Sequence, residues 1–279
     1  MEKPVIILSS SGLNSAIFTV WCVRSLQRFN YEPIEIVVGS SEEKKFIEDR
    51  LDGVSCEVSS ARLGEFRGFS FKAFALSEYK VKHTGREVVV CDSDIIFYKD
   101  PTPIFEKYAG QFWFHKLYEL DPADIDLPLD KVSESRWSAR TLIHYRDEVG
   151  FDKRPSWILN SGLFLCGENI FPELARRWAK GIRALGPDKM LNDQSILTIA
   201  AAEMDLEPVI EKPLGYATAR HFLSNMKELF IEEVVAKGLD EDNLRDLVKL
   251  ETPAGRWSGG PLDIVKRAFR KLKRDLFAS

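Results

Sequence analysis

VVVCDSDIIFYKDP, residues 88–101, sets an apolar run against two aspartates one residue apart and follows them with a second apolar run closed by a charged turn. Val88 to Cys91 has no polar alternation, which is the pattern of a parallel strand covered on both faces. Asp92 and Asp94 then stand at the carboxyl end of that strand. In open α/β sheets, ligands bind outside the carboxyl ends of the strands. Two carboxylates so spaced can share one hard divalent cation, directly or through water, and magnesium and manganese favour such oxygen ligands. The tripeptide alone is common, and two solvated turn aspartates are the plain alternative. The strand in front of it is what gives it weight.

Upstream, the chain alternates strand and helix patterns. Val5-Ile6-Ile7-Leu8 is a continuous apolar run ended by Ser9-Ser10-Ser11-Gly12, and residues 14–28 carry Ile17, Val20, Trp21 and Leu26 at helical spacing. Residues 34–38 and 54–58 predict further strands, and residues 42–50 and 69–81 further helices. This order predicts an α/β fold with a mostly parallel central sheet and right-handed crossovers. No Gly-x-Gly-x-x-Gly or Walker loop occurs, so any phosphate bound would have to rely on a metal and lysine.

Downstream of Pro101 the pattern loosens. Residues 111–115 predict a strand, whereas residues 119–155 are polar and poorly periodic, which predicts a long loop or a small helical insertion. Residues 157–166 read as one strand, 170–185 and 191–204 as helices, and 208–210 as a short strand. Leu262, Val265, Phe269, Leu272 and Leu276 recur at three- and four-residue spacing beside Lys266, Arg267, Arg270, Lys271, Lys273 and Arg274. That pattern predicts a basic amphipathic helix over 262–277, suited either to an anionic membrane surface or to docking with a solvated face.

The chain has 279 residues, 44% hydrophobic and 29% charged, with a net charge of −4. These are ordinary values for a globular protein, and the charge offers no overall attraction to nucleic acid. No apolar run approaches the ~20 residues a spanning helix needs, so a cytoplasmic protein is expected. Cys22, Cys56, Cys91 and Cys166 show no CxxC pairing and read as buried free thiols.

The stretch 88–101 resembles the DxD region of glycosyltransferases with the A-type (GT-A) fold, nearest to the retaining transferases of glycosyltransferase family 8. Ile158-Leu159-Asn160-Ser161-Gly162-Leu163-Phe164-Leu165 is similar to their Asn-(Ala/Ser)-Gly strand, and Asn192-Asp193-Gln194-Ser195 to the Asp-Gln pair that follows. His221-Phe222-Leu223-Ser224-Asn225-Met226-Lys227 resembles their His-(Phe/Tyr)-x-Gly-x-x-Lys motif, with Ser224 at the glycine and Glu228-Leu229 in place of Pro-Trp. The resemblance runs over about residues 4 to 230. It implies a Rossmann-like GT-A domain over 1–237, with 119–155 as an acceptor-side insertion and 238–279 as a C-terminal helical extension.

It also implies roles. Asp92, Asp94 and His221 would bind manganese or magnesium. Ser9, Ser10, Lys72, Asp92, Ser93 and Lys227 would contact a nucleotide-sugar donor, a UDP-sugar being expected. Asn160, Asp193 and Gln194 would face the donor sugar or the reacting centre, with retention of configuration. Phe112-Trp113-Phe114 and the 119–155 segment are expected to hold a glycan or lipid-linked acceptor. A lipid-linked acceptor would suit peripheral contact of helix 262–277 with the inner membrane face. Three other readings compete: a haloacid-dehalogenase-type phosphatase with Asp92 as nucleophile, a nucleotidyltransferase, and a non-catalytic binding module on the same scaffold.

Overall fold

In the computed structural model the described residues are 2–61, 70–115, 117–133, 136–185, 193–210, 218–221 and 227–239. The basic helix expected over 262–277, Asn192 and residues 222–226 lie outside them.

Eleven strands are described: β1 Val5–Ser10, β2 Ile34–Val38, β3 Ser55–Val58, β4 Val88–Asp92, β5 Ile95–Phe97, β6 Phe112–Phe114, β7 Leu117–Glu119, β8 Trp157–Leu159, β9 Leu163–Cys166, β10 Pro208–Ile210 and β11 Ala219–His221. Seven form the central sheet in the order β10-β6-β9-β4-β1-β2-β3. Strand β9 runs antiparallel to both β4 and β6, while every other neighbouring pair is parallel. The expected mixed, mostly parallel α/β sheet is therefore what the chain forms.

The strands cross over through α1 Leu13–Gln27, α2 Ser41–Glu48 and α3 Ser70–Glu78. Helix α1 begins at Gly12, whose φ of 88° is a conformation that glycine takes without strain. Helix α2 is capped by Ser40, whose hydroxyl accepts from the Glu43 amide and donates to the Glu43 carboxylate, each at 3.2 Å. Helices α7 Phe171–Leu185 and α8 Asp193–Glu203 pack with α3 on the sheet face that carries Val5, Ile7, Val88, Val90 and Phe164. Helix α1 covers the other face, where Cys22 Sγ lies 3.9 Å from Cys91 Sγ. All four cysteines are free and buried.

Two expectations are corrected. Residues 157–166 do not form one strand: β8 leaves the central sheet to pair with β7, and Asn160-Ser161-Gly162 makes the turn into β9. Phe112, Trp113 and Phe114 are 5%, 1% and 0% exposed. Phe114 stacks on Phe164 and Trp113 on Tyr108, so the aromatic run is core and offers no surface to an acceptor. The segment 119–155 is largely helical, with α4 Thr102–Lys107 before it and α5 Pro122–Asp126, a 3-10 turn Leu129–Lys131 and α6 Trp137–Val149 within it. Helix α9 Lys227–Ala236 is the last described element. No described helix is long and apolar enough to cross a membrane.

Candidate functional site

The turn after β4 is the centre of the site. Because β9 runs against β4 with Cys91 opposite Leu163, the 160–162 turn lies at the same end of the strands as Asp92. The Asp92 amide donates to the Gly162 carbonyl at 2.6 Å. Beyond Asp94, β5 pairs antiparallel with β11, and the register sets His221 opposite Ile95. His115, at the end of β6, secures that short strand through Nε2, which meets the Ala219 carbonyl at 3.1 Å. Sequence motifs 127 residues apart thus converge on one point.

There His221 Nε2 sits 3.1 Å from Asp94 Oδ1 and 3.5 Å from Asp92 Oδ2. One donor atom from each of the three residues lies within 4.8 Å of the others. Gly162 makes room for this: a Cβ there would fall 2.5 Å from His221 Cε1 and 2.8 Å from Asn160 Oδ1. Burial by itself would lower the His221 pKa, but the Asp94 hydrogen bond and the charges of Asp94 and Asp92 outweigh it and raise it. Burial raises the Asp94 pKa against the opposing pull of His221.

Lys72 enters from α3. Its Nζ donates to Asp92 Oδ1 at 2.5 Å and to the Ser161 carbonyl and hydroxyl, each at 3.0 Å. An ammonium has three hydrogens, and these three acceptors match them in number. Burial lowers the Lys72 pKa, but Asp92 and Asp193 more than restore it, and the net shift is upward. Ser161 Oγ in turn donates to Asp193 Oδ2 at 3.0 Å. Asp193 is buried, which pushes its pKa up, against the opposing charge of Lys72.

The remaining expected residues divide. Asn160 is buried, accepting from the Gly162 amide at 3.0 Å and donating to Tyr118 OH at 3.4 Å. Gln194 lies beside Asp193 at the start of α8, half-buried. Ser9 is opposite Asp92 in the sheet register. Ser93 Oγ meets Ser15 Oγ at 3.1 Å. Ser10 Oγ is buried and donates to Glu43 Oε2 at 3.2 Å. Lys227 opens α9. Ser161, Gly162, Tyr118 and His115 complete the arrangement. The first two could have been found in the Asn-Ser-Gly turn; Tyr118 and His115 carry no sequence signal.

A divalent cation fits this donor set. Two carboxylates and one imidazole are a suitable oxygen and nitrogen set for manganese. Asp92, Asp94 and Asp193 against Lys72 leave two negative charges, which a divalent ion balances with His221 neutral.

No protein-family model matches the chain, and no curated protein matches it. Among solved structures, it is similar to the galactosyltransferase LgtC in complex with donor and acceptor sugar analogs, at 14% identity over 83% of this chain and 95% of that one, with a TM-score of 0.48. It is also similar to mouse xyloside xylosyltransferase 1, at 14% identity over 76% and 85% of the two chains and a TM-score of 0.42. A third similarity is to the bifunctional glycosyltransferase WbbM, at 15% identity over 72% of this chain and 38% of that one, with a TM-score of 0.36.

Proposed function

We propose that this protein is a GT-A-type, metal-dependent glycosyltransferase that moves a sugar from a UDP-sugar to a saccharide hydroxyl. The observation that carries the reading is the Asp92, Asp94 and His221 group at the carboxyl end of β4, with its three donor atoms within 4.8 Å of one another. The donor chemistry favours manganese or magnesium. When bound, such an ion supplies charge neutralisation for a departing diphosphate.

The chain's own residues do the rest. Lys72 holds Asp92 through Oδ1, leaving Oδ2 turned to His221. Ser161 and Asp193 hold Lys72, so Asp193 is assigned a positioning role. Lys227, at the start of α9, is proposed as the cation for the donor phosphates. The acceptor oxygen bonds to the anomeric carbon as the bond to the diphosphate oxygen breaks. The acceptor proton passes to that oxygen, with Gln194 beside the reacting centre and configuration retained.

The test is calorimetric titration of UDP and UDP-sugars with manganese, repeated with excess chelator and with Asp94→Ala. Metal-dependent binding lost in Asp94→Ala supports the reading. A folded protein that binds no nucleotide under any of these conditions would end it.

A further inference from the structure

The strand pair β7–β8 and helices α5 and α6 border a cavity of about 470 Å³, within the ~300–1,000 Å³ typical of small-ligand sites. Tyr118 and Ile158, partners across β7 and β8, provide an apolar wall, while Glu119, Asp121, Asp124 and Arg136 supply the charge. The cavity adjoins the site already described. Asn160 donates to Tyr118 OH and accepts from the Gly162 amide, and Gly162 lies against the His221 ring.

We infer that this cavity is the acceptor subsite and that it takes a saccharide end carrying no anionic group; its role as an acceptor subsite rests on the glycosyltransferase reading. Tyr118 is 37% exposed, leaving aromatic surface for the C–H face of a pyranose. Arg136 is paired with Asp124, and Asp121 accepts from the Ala123 amide at 2.9 Å to cap α5. Among the described lining residues the ligand therefore meets an excess of carboxylate oxygens. Ionised carboxylates only accept hydrogen bonds. They receive sugar hydroxyl or ammonium hydrogens and repel a uronate or a phosphate. The magnitude is on the order of tenfold in affinity, the effect of one like charge about 6 Å away at an effective dielectric constant of about 40.

The experiment is saturation-transfer NMR competition on the full chain. Methyl glucoside, galactoside and mannoside are each compared with the matching uronoside and 6-phosphate. A parallel titration of UDP with manganese reads the donor site. Neutral sugars should bind on the order of tenfold more tightly than their anionic partners. Glu119→Lys should shrink that gap severalfold, and Glu119→Gln should fall between. Equal or tighter binding of the anionic sugars overturns the inference, as does a gap unmoved in both variants. Nucleotide binding without sugar binding overturns the cavity's role and leaves the donor reading standing. Neutral-sugar preference without nucleotide binding supports the cavity and removes the donor reading. Binding of neither removes both.

Discussion

Gly162→Ala asks whether the site depends on the close approach of its turn to His221. A Cβ at 162 would stand 2.5 Å from His221 Cε1, and ordinary contact begins at 3.4 Å, so the ring must retreat by about 0.9 Å. The turn cannot readily yield instead, because its carbonyl accepts from the Asp92 amide and its amide donates to Asn160. Metal sites tolerate ligand displacements of only about 0.2 Å. Manganese affinity should therefore fall by about 10–100-fold, the usual cost of a disturbed ligand environment. Overpacking at one buried position should cost about 1–3 kcal/mol of stability. Manganese titration by calorimetry, with urea unfolding on the same sample, reads both quantities. A folded Gly162→Ala protein that binds manganese within about twofold of the original would refute the assigned geometry.

Lys72→Met removes the cation that Asp92 and Asp193 share, and should cost about 3 kcal/mol in metal-free urea unfolding, the lower end for breaking a buried pair because Asp92 is partly exposed; a loss near zero would show that Lys72 is not their counter-ion. Since His221 has its folded pKa raised, its metal-free stabilisation is full below its ordinary value near 6.5 and lost as pH rises through the higher folded pKa. The melting temperature of metal-free protein relative to His221→Ala should accordingly fall from pH 6 to 8, and a rise would contradict the Asp94 pairing. Glu35 sits in a central strand and accepts from Tyr79 OH at 2.7 Å, from the amides of Lys82 and His83, and meets His83 Nδ1 at 2.5 Å. Glu35→Ala should cost about 3 kcal/mol in the same unfolding assay, and a neutral result would mean this network adds nothing to holding the chain between α3 and β4.

The strands that build the centre of the sheet were legible because burial on both faces leaves an unbroken apolar run, as in Val5 to Leu8 and Val88 to Cys91. The same rule misled at residues 157–166, where Asn160-Ser161-Gly162 interrupts an apolar stretch and the structure uses the interruption to divide two strands. Phe112 to Phe114 misled for a related reason: an aromatic side chain looks the same in sequence whether it lines a cleft or fills a core. Strands β5 and β11 are three residues each, too short to show a period, and only their pairing carries His221 to Asp94. Lys72 and Asp193 were identifiable as residues of interest, but their hydrogen bonds to Ser161 could not be read from spacing. Those bonds tie both side chains to the turn beside Asp92.

That support has a consequence for how the site is built. Asp92 is held through Oδ1 by Lys72 at 2.5 Å. Asp94 is paired with His221 at 3.1 Å, a group that would lose its own charge on becoming a metal ligand. The site therefore carries one fixed and one exchangeable positive charge against three carboxylates. With all three carboxylates counted as ionised this leaves one negative charge, and on the proposed reading a divalent cation in place of the imidazolium proton would bring the count to zero. On the proposed reading, the interior lysine positions Asp92, one of the carboxylates that would hold a divalent ion.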